Sequence, residues 1–164
     1  VATYARMAYT DMMTGLGNRA AFQRDSAADA SFGGALAYVM MDANNLKVIN
    51  DSMGHHRGDE LLLQIAACLK RTLGQKMSGY RLGGDEFAMV LYDVQSESEV
   101  QQICSALTQI FNLPFDLHNG HQTTMTLSIG YAMTIEHASA EKLQELADHN
   151  MYQAKHQRAE KLVR

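Results

Sequence analysis

Three short stretches of this sequence hold polar groups where a plain hydrophobic core would not place them. Asp42 closes the apolar run Ala35–Met41. A dense polar block follows, with Lys47, Asn50, Asp51, Gly54, His55, Gly58 and Asp59. Farther on, Gly83-Gly84-Asp85-Glu86 sets two carboxylates beside two glycines. Hard divalent cations take oxygen ligands, and Mg²⁺ uses one or two carboxylates together with substrate phosphate oxygens. A carboxylate at a strand end and another at a hairpin tip on a neighbouring strand would supply that pair. The glycines would let a phosphate approach the backbone closely. On the residues alone, a plainer reading stays open: Asp42 caps the next helix, and Gly83-Gly84 is only a turn.

The elements that must position these groups follow from periodicity and punctuation. Asn18 caps a helix over Arg19–Ala30, which Gly33-Gly34 breaks. Ala35–Met41 reads as a buried strand, and Leu46–Met53 as a short helix stopped by Gly54. From Gly58, Leu61, Leu62, Ile65, Ala66, Leu69 and Leu73 recur at helical spacing up to Gly74. Ser78–Leu82 and Glu86–Leu91 flank Gly83-Gly84 as a hairpin. Ser96 and Glu99 form a capping box before a helix with Val100, Ile103, Leu107, Ile110 and Phe111 on one face. Phe115–His118 and Thr123–Ala132 suggest a second hairpin around Asn119-Gly120. A last helix from about Ala140 would bury Leu143, Leu146, Ala147, Met151 and Ala154. Hairpins interleaved with helices imply an α+β fold, a central and mostly antiparallel sheet flanked by helices. Residues 1–10 read as the end of an upstream linker helix, and 11–164 as one domain.

Composition narrows the function classes. The formal net charge of −4 lacks the clustered Lys and Arg of a nucleic-acid footprint, so no nucleic-acid partner is expected. Ala35–Met41 is far short of the ~20 residues that span a bilayer. The opening residues do not form a signal peptide. The domain is therefore expected to be cytoplasmic and free of membrane contact, with any anchor lying upstream. Cys68 and Cys104 sit among apolar residues at helical spacing and read as buried free thiols. The seven histidines show no zinc-type spacing. The 11 methionines with no tryptophan make a soft core without a cofactor box.

Arg81-Leu-Gly83-Gly84-Asp85-Glu86-Phe87 resembles the signature of the GGDEF diguanylate cyclase family. Asp11-Met-Met-Thr14-Gly15-Leu16-Gly-Asn18-Arg19 is similar to that family's opening motif. Asp42-Ala43-Asn44-Asn-Leu46-Lys47-Val-Ile-Asn50-Asp51 and Gly54-His55…Gly58-Asp59 are similar to its next blocks. Leu127–Gly130 and Ala147-Asp148…Met151-Tyr152…Ala154-Lys155 resemble its last two. The resemblance covers roughly Asp11 to Lys155 and implies a nucleotidyl cyclase, palm-like fold. It also implies Mg²⁺, or Mn²⁺ in its place, held by Asp42, Asp85 and the Ala43 carbonyl. Glu86 would support the metal site or deprotonate the attacking 3′-hydroxyl. Gly83 and Gly84 would let the nucleotide lie against the hairpin, and Lys47 and Lys155 would meet phosphates. Asn50 and Asp59 would read the guanine edge. The implied reaction joins two GTP into cyclic di-GMP with loss of two pyrophosphates. Each 3′-hydroxyl attacks the other nucleotide's α-phosphate across a homodimer, and an upstream sensory or regulatory domain controls the pairing.

The sequence departs from the family pattern in places. Asn44 stands for the second aspartate of the D-x-D pair, and Leu46 for a phenylalanine. Ala159 stands where the family has a phosphate-binding arginine. Arg158 lies one step away, about 100° round a helix, and would take over only if the helix ended there. Gly74 and Met77 occupy the positions of the family's inhibitory R-x-x-D product site, so on-domain feedback is not expected. The alternative reading is a catalytically degenerate GGDEF domain that acts as a GTP-sensing or interaction module. A cyclase making mixed cyclic GMP-AMP is a third option, against which Asp59 argues.

Overall fold

The strand with the most continuous apolar sequence becomes the middle of the sheet. In a computed structural model of the chain, β1 (Leu36–Asn44) buries six consecutive residues, Leu36 to Met41. Such a run needs cover on both faces. The structure describes residues 2–29, 31–44, 46–117, 120–134 and 139–163, with the side chains of residues 2, 3, 5 and 158–163 left aside. Asn119 of the expected second turn lies outside them. β2 (Met77–Gly83), β3 (Glu86–Tyr92) and β6 (Thr126–Met133) join β1 in a wholly antiparallel sheet of order β2-β3-β1-β6. β4 (Phe115–Asp116) and β5 (Gln122–Thr123) form a separate two-stranded ribbon.

The helices divide between the two faces. α4 (His55–Thr72) and α5 (Glu97–Phe111) cover one face, burying Leu61, Ile65, Leu69, Val100, Leu107 and Phe111 over Val39, Met41, Phe87 and Met89. α2 (Arg19–Asp29) and α6 (Ala140–Val163) cover the other, placing Ala21, Phe22, Leu143, Ala147 and Met151 over Tyr38, Met40, Ala88 and Val90. α1 (Ala2–Tyr9) precedes α2, and α3 (Leu46–Met53) joins β1 to α4. α6 lies so close to β6 that a Cβ on Gly130 would fall 2.1 Å from the Met151 backbone nitrogen. That approach brings Lys155, one turn beyond Met151, over the end of β1.

The α+β fold class is as expected, and so are the bounds of α3 and the burial of both free cysteines. Several details differ. β1 runs two residues past Asp42, so Asp42 lies within the strand rather than at its close. α4 begins at His55 rather than Gly58, with Gly54 at φ 90° as its N-cap. The run expected to pair with Phe115–His118 is split: Gln122–Thr123 makes the ribbon, while Thr126–Met133 pairs with β1. Leu146 is 41% exposed, because it lies on the flank of α6 while Leu143, Ala147 and Met151 take the sheet-facing stripe. Glu99 caps α5 less directly than a capping box would. Ser96 Oγ accepts from the Glu99 amide, but Glu99 Oε2 accepts from Gln95 N.

Tyrosine hydroxyls pin α2 to the sheet. Tyr38 and Tyr92 donate to the two oxygens of Asp29 at 2.9 and 2.7 Å, and Tyr80 donates to Asp25 at 2.6 Å. Burial first, and then the facing carboxylate, push all three phenols well above their ordinary value. Folded-state values raised in this way favour the fold below the ordinary phenol range near ~10, and that stability is lost as pH rises beyond it. Absorbance at 295 nm during an alkaline titration should therefore show these three tyrosines ionising only together with unfolding.

Candidate functional site

The two glycines and two acids fold as a tight hairpin because β2 and β3 are joined by Gly84-Asp85 alone. Gly84 sits at φ 50°, a left-handed conformation that a side chain would strain. Three bonds then hold the tip. The Ala43 amide donates to the Asp85 carbonyl at 2.9 Å, tying the turn to β1. Arg81 donates through Nε and Nη2 to the Gly84 carbonyl at 3.2 and 3.0 Å. The same guanidinium reaches Asp11 Oδ1 at 3.2 Å. Asp11 in turn accepts from the Thr14 amide and hydroxyl at 3.0 and 2.6 Å. The turn after α1 is thus bonded to the hairpin through one arginine side chain.

Around this tip the chain gathers acids faster than it neutralises them. Register places Glu86 directly opposite Asp42, on the face that α6 covers. Burial, then the neighbouring Asp42 charge, hold Asp85 above the usual carboxylate range. Glu86 is raised by burial and then by Asp148 of α6, with the Arg19 guanidinium opposing. Arg19 Nη2 lies 3.9 Å from Glu86 Oε2, and its Nε donates to the Leu82 carbonyl. Lys155 Nζ sits 2.8 Å from Asp42 Oδ2. The other oxygen, Asp42 Oδ1, is buried without a hydrogen-bond partner, as is Asn44 Oδ1. Asn44 Nδ2 donates to Ser128 Oγ at 2.9 Å, linking β1 to β6. A buried, unpartnered carboxylate oxygen beside a second, raised carboxyl is a charge deficit that a divalent cation removes. The residues fit such an ion.

Of the candidate residues, Asp42, Ala43, Asp85, Glu86 and Lys155 come together here. Gly83 and Gly84 lie exposed on the tip. Lys47, Asn50 and Asp59 belong to a second cluster where α3 meets α4. Lys47 and Asp59 are exposed, and Asn50 is half-buried. Arg158 and Ala159 fall among the side chains left aside, but α6 continues through them to Val163. The helix end that would have let Arg158 substitute for the missing arginine is therefore not there. Sequence reasoning gave no individual role to Arg81, Asp11 or Arg19. Arg81 lies two residues before the glycines, yet nothing local marks a partner 70 residues away. A groove of about 530 Å³ along the outer edge of β6, lined by Glu97, Tyr131, Leu146 and Asn150, is separate from these acids.

The family described as diguanylate cyclase, GGDEF domain, matches residues 8–161. The chain belongs to the GGDEF family. This GGDEF domain is 70% identical over 164 residues to diguanylate cyclase DgcN of Escherichia coli (strain K12), covering 97% of this chain and 40% of that protein. It therefore spans about two fifths of that relative's length. The GGDEF domain of PA1120 (YfiN or TpbB) from Pseudomonas aeruginosa superposes with a TM-score of 0.81 at 35% identity, over 88% of this chain and 92% of that one. The coiled coil and GGDEF domain of DgcB from Caulobacter crescentus, solved in complex with c-di-GMP, gives a TM-score of 0.86 at 25% identity. That match covers 94% of this GGDEF domain and 84% of the DgcB chain. GGDEF diguanylate cyclases are divalent-metal-dependent as a family, in keeping with the acids gathered at this tip. No helix among the described residues is long and apolar enough to cross a membrane.

Proposed function

We propose that this domain is a diguanylate cyclase, joining two GTP into cyclic di-GMP with release of two pyrophosphates. The observation that carries the reading is the pair Asp42 and Asp85, brought together from β1 and the turn between β2 and β3, with Asp42 Oδ1 buried and unpartnered. Asp42, Asp85 and the Ala43 carbonyl would hold Mg²⁺, or Mn²⁺ in its place. When bound, that cation supplies charge neutralisation at the phosphates and lowers the pKa of the attacking hydroxyl. Glu86, beside Asp85, supports the metal site or the deprotonation of the attacking 3′-hydroxyl. Lys155, released from Asp42, meets the triphosphate together with Lys47. Gly83 and Gly84 leave the tip open to the nucleotide, while Asn50 donates to and accepts from the guanine edge and Asp59 accepts from its N–H groups. One such site binds one GTP, so catalysis takes a homodimer with two sites face to face. An upstream regulatory domain would set that pairing.

The test is incubation of the purified chain with GTP and Mg²⁺, with the products resolved chromatographically. Cyclic di-GMP and pyrophosphate are expected. Absence of both at high protein concentration, with GTP binding retained, would favour a GTP-sensing module instead. Ala159, on a helix that continues to Val163, is the observation on that side. Arg81→Ala tests the hairpin brace. Loss of its bonds to Gly84 and Asp11 should lower kcat by about 10–100-fold through misplacement of Asp85. Guanine affinity should change little, as steady-state rates and a binding titration would show.

A further inference from the structure

Gly58 lies in the first turn of α4, where its φ is ordinary and helical. A glycine there costs about 1 kcal/mol against alanine and gains nothing from its backbone freedom. The reason for it is space. A Cβ on Gly58 would fall 1.6 Å from Asn50 Oδ1, 2.7 Å from its Cγ and 3.3 Å from its Nδ2. The three nearest atoms all belong to one side-chain amide, which therefore points its oxygen at the bare Cα. Asn50 is held from its other end as well, because its backbone carbonyl accepts from the Gly54 amide at 3.0 Å. Gly54 caps α4, so the residue that starts the helix and the glycine one turn inside it grip the same asparagine.

We infer that Gly58 is a specificity-determining positioning residue, whose missing side chain fixes the Asn50 amide beside Asp59 as a guanine-reading edge. The inference rests on the reading of Asn50 and Asp59 given above. An amide offers an acceptor oxygen and a donor NH₂ group side by side, and its usefulness to a purine depends on the direction in which they are held. Asn50 brings up to two torsions of side-chain freedom from a short helix. Packing over Gly58 removes that freedom before the nucleotide arrives, so less is lost on binding. Any side chain at position 58 must turn the amide aside or push α3 from α4. Gly58 touches no nucleotide in this account; it acts through Asn50.

A double-mutant cycle tests this with Gly58→Ala, Asn50→Ala and the combination. The probes are 3′-deoxy-GTP and 3′-deoxy-ATP with Mg²⁺, which lack the attacking hydroxyl and report binding without turnover. The wild-type chain should prefer the guanine analogue, and Gly58→Ala should cut that preference tenfold or more with adenine-analogue affinity unchanged. In the Asn50→Ala background, Gly58→Ala should cause no further loss of preference. Its effect on Tm should also change sign there, since alanine suits the helix once the amide is gone. Equal losses in both backgrounds would overturn the inference, as would Gly58→Ala weakening both analogues alike. If Asn50→Ala lowers the guanine preference and Gly58→Ala does not, only the present inference fails. If Asn50→Ala leaves the preference intact, the guanine-reading role itself fails, and this inference with it.

Discussion

Asp85→Ala should abolish cyclic di-GMP synthesis, lowering turnover by at least ~10³-fold, while the domain stays folded. The magnitude is that of removing one of two side-chain oxygen ligands, worth several kcal/mol of charge stabilisation in the transition state. Retention of the fold follows from how the turn is held. The bond from Ala43 reaches the Asp85 backbone carbonyl, and Arg81 grips the Gly84 carbonyl, so both survive the substitution. Asp85 itself has no left-handed φ to defend. The variant should also melt higher than the parent in cation-free buffer at neutral pH. Asp85 is raised in the fold by burial and by Asp42, so its ionisation opposes folding. The sign is clear. A carboxyl raised in the folded state makes stability fall as pH climbs from the ordinary carboxylate range through the raised value. The variant lacks that slope. Rates with Mg²⁺ and melting curves in chelator at two pH values measure both effects; retained turnover would show the metal assignment to be wrong.

The largest loss of stability is expected far from the chemistry, at Asp29→Ala. Asp29 is 6% exposed and accepts from two phenols, one of them on the fully buried Tyr38. A hydrogen bond to a charged group contributes ~1.5–3 kcal/mol, and truncation leaves both hydroxyls without the acceptor. A loss of about 3–5 kcal/mol follows. For a chain of this length that corresponds to a fall in Tm of roughly 6–20 °C. Tyr92→Phe should cost only a fraction of this, because it removes one donor and leaves Asp29 its bond to Tyr38. Thermal melts of the two variants side by side test the assignment. Equal effects would mean that Asp29 contributes through packing rather than through its two bonds.

Much of the architecture was legible in local pattern. Gly54 marks the end of α3 where expected, and six buried residues in a row make β1 central. Where the reading slipped, a glycine or a break carried a meaning that spacing does not encode. Gly58 looked like a helix start, yet it sits inside α4 to make room for Asn50. Thr123–Ala132 looked like one strand, but it supplies a ribbon strand and then the edge of the main sheet. The hairpin tip was legible because two glycines followed by two acids suit few structures other than an open turn. Its brace was not, since Arg81 and Asp11 are 70 residues apart and nothing local pairs them.

The hairpin acids and the elements around them were therefore determined by the sequence alone. Periodicity of two or 3.6, turn glycines and caps act over a few residues and can be read in order along the chain. Only the tertiary structure decided which groups meet. Lys155 sits on Asp42 across 113 residues, Arg81 spans from the turn after α1 to Gly84, and three tyrosines reach for two aspartates on α2. Those pairings depend on α6 lying hard against β6 and on β3 lying beside β1. The same local pattern allows many packings of helix on sheet, and burial of both faces selects the one that brings these charges together.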